Sequence, residues 1–180
     1  VLDGLNENGE LDESSDFNPK IDHSAYAISK HFSEMEVWRA SAEGLNTVIV
    51  NPGLIIGSGN WKESSGTLFM EFEKNDYTFS GGTSYVDVRD VAQISIELME
   101  KNIFGERSIL VSESAKYEEI GNSIRQKLGK SPMKLLPNVV LKVGFYLNLL
   151  FGWLFSPLKM ANKVNIKSVT EFNKISNKKI

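Results

Sequence analysis

The 180-residue sequence contains no cysteine. That absence excludes disulfides, zinc ribbons, iron–sulfur clusters and cysteine nucleophiles together, and it fits a reducing compartment. Histidine occurs twice, as His23 and His31. Two imidazoles are too few for a metal centre unless carboxylates complete it, and no metal is expected. A Gly-x-Ser-x-Gly nucleophile elbow is missing, which argues against a serine hydrolase. A surplus of positive charge is also lacking: the net charge is −3, so nucleic acid is not expected as a partner. The chain opens at Val1 without a basic stretch and apolar core, and no secretory leader is read there. A cytoplasmic protein is expected.

What is present is ordinary for a globular chain: 41% apolar and 24% charged residues, enough for one domain or one and a half small ones. Charge is unevenly spread. Residues 1–22 hold seven acids against Lys20, and residues 159–180 hold six lysines against Glu171. Such runs are expected to be a solvated loop and a solvated terminal segment.

Helix and strand signals alternate along the chain. Gly4, Gly9 and Pro19 make 1–22 a long acidic loop. A helix is expected from Ser24 to Glu43, capped by Asp22 or Ser24 and stopped by Gly44. Thr47–Val50 reads as a strand buried on both faces, which resumes at Leu54–Ile56 after Pro52-Gly53. A second cycle places helix at Thr67–Lys74, strands at Tyr77–Phe79 and Ser84–Val88, and a helix capped by Asp90 running to Lys101. That helix carries an apolar face of Val91, Ile94, Leu98 and Met99. Ser108–Val111 reads as a buried strand, and Tyr117–Leu128 as an amphipathic helix closed by Gly129. Alternation of this kind means an α/β fold with parallel strands.

Residues 139–158 are strongly apolar and approach bilayer length, but Lys142, Gly144, Asn148, Gly152 and Pro157 interrupt them. The first reading is a core or pocket-lining helix. The second, helped by the basic tail, is an interfacial helix in peripheral membrane contact, which makes the protein cytoplasmic or membrane-associated.

Tyr26 and Lys30 stand four residues apart on an expected helix, hence on one face. An ammonium beside a phenol favours the ionised phenol, and a tyrosine in that setting can deliver or accept a proton. The spacing alone is weak, but its context is not. Tyr26-x-x-Ser29-Lys30 precedes a strand ending in Asn51-Pro52-Gly53-Leu54-Ile55-Ile56-Gly57, and Tyr85-Val86-Asp87-Val88-Arg89-Asp90-Val91-Ala92 follows. Together these motifs resemble the extended short-chain dehydrogenase/reductases, the NAD-dependent epimerase/dehydratase family, in its dihydroflavonol-reductase and 3β-hydroxysteroid-dehydrogenase-like branch. Asp87 stands where that family usually has His. Gly105–Leu110 and Ser176–Ile180 resemble later segments of the family, so the likeness covers about residues 17–180.

The resemblance implies an α/β fold that is the C-terminal half of a Rossmann-like doubly wound parallel sheet, plus a small α/β substrate-binding part. It implies an acidic loop at 1–22 and the last part of a dinucleotide-binding domain at 23–60. Residues 61–180 would be mainly the substrate part, with some segments returning to the sheet. Tyr26 would be the general acid or base. Lys30 would assist it and bind the nicotinamide ribose, with Pro52, Gly53 and Ile55 holding the carboxamide of NAD or NADP. Trp61, Phe69, Phe72 and Tyr85 are candidate contacts for a small-molecule substrate, although packing explains each of these aromatics as well. A homodimer through Phe32, Met35 and Trp38 is a further expectation.

The departures are instructive. A Gly-x-Gly-x-x-Gly or Gly-x-x-Gly-x-x-Gly turn that seats a dinucleotide pyrophosphate at a helix N-terminus is absent. So is an upstream strand ending in the family's catalytic Ser or Thr, and Ser14 and Ser15 lie in the acidic loop instead. The chain is expected to be a fragment truncated at both ends, inactive alone, from an NAD(P)-dependent oxidoreductase acting on a small apolar carbonyl or alcohol. Two alternatives remain open: a nucleotide-sugar epimerase or dehydratase, and a non-catalytic remnant serving as a binding module.

Overall fold

The computed structural model describes residues 5–59, 61, 63, 65–154 and 161–180. The chain divides into two compact units. The first comprises the residues up to Gly59, Ser84–Ser114 and Asn173–Ile180; the second runs on to Thr83 and from Ala115 to Phe172.

In the first unit, helix α1 (Ala25–Ala42) starts where Ser24 Oγ accepts the Ala27 N–H at 3.1 Å and ends at Gly44, whose φ of +98° suits only glycine. Strand β1 (Val48–Pro52) pairs in parallel with β5 (Glu106–Leu110), Val50 opposite Ser108. Of the apolar residues in β1 only Ile49 is buried, so the strand is half-covered rather than buried on both faces. After Gly53 the chain continues as β2 (Leu54–Ile56), which pairs in parallel with β4 (Gly82–Asp87).

The change of partner from β5 to β4 happens at Gly53. Its N–H donates to Leu110 O at 3.0 Å, and a Cβ there would run into the Ser84 carbonyl and lie 3.3 Å from Val111 Cγ2. Glycine is required because two backbones close on this point. Strand β6 (Glu113–Lys116) flanks β4 on its other side. Ser84 meets Ser114 at 2.7 Å and Tyr85 meets Glu113 at 2.6 Å, pairs that set β6 antiparallel to β4.

Helix α3 (Val88–Glu100) is capped by Asp87, whose carboxylate accepts the Arg89 N–H at 2.8 Å, and not by Asp90 as the sequence suggested. Asp87 is the last residue of β4 and keeps extended backbone, so its carboxylate reaches the helix first. Leu98 is buried in this helix, but Met99 faces solvent.

The acidic loop is not simply solvated. Leu11 bridges Ile175 in the tail, with Leu11 N–H donating to Lys174 O at 2.9 Å. Lys178 meets Glu10 at 3.6 Å, and Lys179 meets Glu106 at 3.0 Å. The two oppositely charged ends thus attach to the same unit.

The second unit holds α2 (Gly66–Lys74), β3 (Tyr77–Thr78), α4 (Tyr117–Lys127), β7 (Lys134–Leu135), α5 (Asn138–Phe151) and α6 (Lys163–Thr170), with β3 parallel to β7. Its organising side chain is Arg125, only 4% exposed. Its guanidinium donates to Asn75 O at 2.6 Å and Phe72 O at 3.3 Å, and to Ser131 O and Asp76 Oδ1. A cation is thereby placed on the carbonyls that end α2, where the helix dipole favours it. Leu128, at the end of the expected amphipathic helix, is exposed, and the positions that α4 buries are Gly121 and Arg125.

Helix α5 buries no residue fully, so it is not a core helix, but Leu141, Gly144, Phe145 and Asn148 on one side of it are half-buried. Residues 155–158 of that segment lie outside the described residues. Among the described residues no helix is long and apolar enough to cross a membrane.

Gly53→Ala should lower the unfolding free energy by about 1–3 kcal/mol, the usual cost of overpacking, because backbone rather than a flexible side chain would have to move. Gly144→Ala, in mid-α5 with Ala161 Cβ at 3.6 Å, should be neutral or slightly stabilising. Urea denaturation of the two variants tests the contrast.

Candidate active site

The first turn of α1 is held from outside the helix. The Phe17 ring lies between two imidazoles, with ring centroids 4.2 Å from His23 and 4.0 Å from His31. His23 Nε2 is 2.8 Å from Asn18 O. These contacts, with the Ser24 cap, fix the turn that carries Tyr26. Tyr26 is 73% exposed, and Lys30, one turn on, is exposed beside it. Neither the phenol nor the ammonium has a hydrogen-bond or ion-pair partner among the described residues. Both are free to meet a ligand.

One further turn along the same stripe stands Glu34, and its carboxylate anchors the helix. Oε1 accepts from Trp38 Nε1 at 3.2 Å and Arg107 Nη1 at 3.1 Å, while Oε2 accepts from Asn51 Nδ2 at 3.0 Å. Glu34 and Arg107 are 14% and 15% exposed. Burial pushes the Glu34 carboxyl up, but the Asn51 and Trp38 hydrogen bonds and the Arg107 charge together hold it below the usual glutamate range. Arg107 Nη2 also donates to Glu13 O at 2.6 Å and Ser15 O at 3.0 Å, and Glu13 Oε1 accepts the Ile109 N–H at 2.9 Å. Helix α1, the end of β1, β5 and the acidic loop therefore converge on one ion pair.

The remaining sequence candidates divide between the units. Pro52, Gly53 and Ile55 lie on the β1–β2 path of the first unit, directly after Asn51. The Gly53 amide is committed to Leu110 O, so this N–H is not offered to a ligand. Ile55 sits opposite Val86, and Leu54 opposite Tyr85. Tyr85 donates its phenol to Glu113. That hydrogen bond, then burial and the Glu113 charge, push its pKa up to about 12.

Asp87, at the position where the family usually has His, is bound by Arg89 through its side chain and backbone, which holds its pKa down at about 2. In the second unit, Trp61 and Phe69 form an edge-to-face pair at 5.8 Å, and Phe72 is buried where it would meet a Cβ on Gly121. A cavity of about 270 Å³ in the first unit is lined by Val86, Ile94, Ile109, Leu110 and Asn177 among others, and by none of the sequence candidates.

Sequence reasoning missed Glu34, Arg107 and Glu13 as site-building residues. A signal for Glu34 was available: Tyr26, Lys30 and Glu34 recur at four-residue intervals, and Asn51 begins the second motif. Arg107 offered none, because its partners lie 73 to 94 residues away.

No family model matches the chain. Sterol demethylase protein B of Methylococcus capsulatus is 29% identical over 113 residues, covering 61% of this chain and 34% of that protein. Among solved structures, gox2253 superposes with a TM-score of 0.77 at 22% identity, covering 98% of this chain and 55% of that one. The human epimerase family protein SDR39U1, solved with NADPH, gives 0.62 at 18% identity, covering 98% and 54%. Further neighbours are a dehydratase and an epimerase with NAD bound. The fold is the Rossmann-like α/β fold of the NAD-dependent epimerases and dehydratases, as the sequence motifs implied. The chain spans about a third of the curated relative and about half of these structures.

Because its carboxyl is held low in the fold, Glu34 contributes stability above its ordinary value of 4.5, and this is lost as pH falls through the depressed value. Glu34→Gln should therefore be destabilised relative to wild type near neutral pH, with the gap closing in acid. Arg107→Met should cost about 3 kcal/mol near neutral pH by stranding the carboxylate. Urea denaturation across pH reads both.

Proposed function

We propose that this chain is part of an NAD(P)-dependent oxidoreductase that reduces a carbonyl, or oxidises the corresponding alcohol, on a small and largely apolar substrate. Tyr26 and Lys30 are its catalytic pair. The observation that carries this reading is their exposed, unpartnered placement one turn apart on α1. That stripe is tied through Glu34 to Asn51 beside the Pro52-Gly53 bend. Solved neighbours of the fold that hold NAD or NADPH support the cofactor class.

The residues present fit the nicotinamide end of such a cofactor. Tyr26 Oη and Lys30 Nζ are free donors of the kind a ribose diol requires. They do not fit the pyrophosphate end, since no glycine-rich turn opens directly into a helix among the described residues. We assign that function to residues of the longer protein beyond this chain. In the same proposal the first unit belongs to the cofactor-binding domain, and the second, with Trp61 and Phe69, to substrate recognition.

When bound, the cofactor supplies the hydride. The chain's own residues move the proton. Tyr26 Oη donates to the carbonyl oxygen as negative charge builds on it, and the Lys30 ammonium offsets the charge left on the phenol. In the oxidative direction Tyr26 takes the alcohol proton. Glu34 holds the helix, and thus both groups, in register with the strand end.

A sterol demethylase relative supports an apolar substrate. A second reading, a nucleotide-sugar epimerase or dehydratase, is favoured by the solved neighbours that carry those names. The two differ in redox balance: a reductase consumes NAD(P)H in proportion to product, whereas an epimerase or dehydratase ends with its cofactor unchanged.

In the full-length protein, Tyr26→Phe should lower kcat by about 10²–10⁴-fold with the fold retained, the usual worth of a positioned acid. Steady-state kinetics and circular dichroism measure this, and near-normal turnover would remove Tyr26 from the mechanism. Titration calorimetry of the 180-residue chain with NADPH should show no micromolar binding.

A further inference from the structure

Strand β5 has one open edge, and side chains close it. Among the described residues β1 is the strand that pairs with β5. Leu110 O accepts the Gly53 N–H, so the Leu110 backbone turns toward the β1 path. Strand alternation then turns the backbone groups of Arg107, Ile109 and Val111 to the other side. There the Ile109 N–H donates to Glu13 Oε1 at 2.9 Å, Arg107 O accepts from Lys179 Nζ at 2.5 Å, and Val111 O accepts from Asn177 Nδ2 at 3.0 Å. A strand edge presents both donors and acceptors, so closing it without another strand takes side chains of both kinds. The acidic loop supplies the acceptor, and the basic tail supplies the donors.

The two segments that close the edge are tied to each other and to β5. Leu11 N–H donates to Lys174 O at 2.9 Å, and Ser176 N–H returns a bond to Leu11 O at 2.8 Å. Arg107, on the edge itself, fixes the loop by donating to the Glu13 and Ser15 carbonyls. Lys179 is further held by Glu106 at 3.0 Å. Ser15 and Ser176, one in each segment, are buried. Behind the edge stand Ile109 and Leu110, 1% and 2% exposed, followed by buried Val111. A short apolar strand with a single strand neighbour is a template for pairing with another chain unless its edge is covered.

We propose that the loop at 10–15 and the tail at 174–179 form a guard that keeps the β5 edge from pairing with a strand of a second copy of this protein. Glu13, Asn177 and Lys179 are its working side chains. They satisfy the outward backbone groups without offering a strand of their own for the next chain to join. This goes beyond the catalytic reading and does not depend on it.

The test combines Glu13→Ala, Asn177→Ala and Lys179→Ala in the full-length protein. Sedimentation velocity should show this variant associating at concentrations where the wild type does not change. Hydrogen exchange read by mass spectrometry should find residues 106–111 exchanging at least about ten-fold faster in the dilute variant, and protected again as it associates. Glu13→Gln combined with Lys179→Arg keeps an acceptor and a donor at the edge, and should behave as the wild type. Circular dichroism checks that the variants fold, and Glu13→Ala alone carries the same test if the combined variant does not.

A folded alanine variant that sediments as the wild type at every concentration overturns the proposal, even with faster exchange at 106–111, because the side chains then only stabilise the strand. Association that leaves 106–111 exchanging fast also overturns it, since the contact lies elsewhere. So does association of the Gln and Arg variant, in which the hydrogen-bonding groups are retained.

Discussion

A half-buried carboxylate cannot be left unpaired, and in the first unit that requirement sets the position of α1, the helix that carries the proposed pair Tyr26 and Lys30. Glu34 meets it with three donors drawn from three places: Trp38 on its own helix, Asn51 at the end of β1, and Arg107 on β5. Rotating or sliding α1 would strand the charge, at a cost of several kcal/mol for a buried pair. Arg107 is bound in turn by the Glu13 and Ser15 carbonyls, so the acidic loop closes over the same point. Tyr26 and Lys30 contribute nothing to this network. They stand on the stripe it immobilises, with their own polar atoms unspent, so the proposed catalytic pair and the groups that anchor the helix are different side chains.

The strand path complements that anchor. A chain that pairs first with β5 and then with β4 needs a point where neighbouring backbones close together, and Gly53 supplies it. The same residue follows Asn51 by two positions, so the place where the sheet changes partner is also the place where α1 is tethered. Arg125 plays a comparable part in the second unit, collecting the carbonyls that end α2. In each unit an arginine gathers backbone oxygens from separate segments, which an apolar residue could not do.

Local features were readable in the sequence because their causes are local. Ser24 caps α1, and Gly44 and Gly129 end helices with φ of +98° and +67°, all within a few residues of the signal. The sequence points to Asp90 rather than Asp87 for the α3 start because both aspartates satisfy the capping pattern. Only the end of β4 decides between them. Non-local pairings were invisible: Arg107 and Arg125 look like surface charge until backbone oxygens from distant segments surround them. The 139–158 segment failed in the opposite sense. Its composition states that it is apolar, but not whether any neighbour covers it, and α5 proves half-buried on one side and exposed on the other. For the site, the Tyr26 and Lys30 spacing and the strand motif were visible, whereas the Glu34 network that relates them was not.

The central proposal is that α1 presents Tyr26 and Lys30 to a nicotinamide cofactor. A crystal structure of the full-length protein with NADPH is the most direct measurement. It should place Lys30 Nζ and Tyr26 Oη within hydrogen-bond distance of the nicotinamide ribose, with the ring beside the Pro52-Gly53 bend. A cofactor bound with its nicotinamide away from α1, or no cofactor at saturating concentration, would contradict the account.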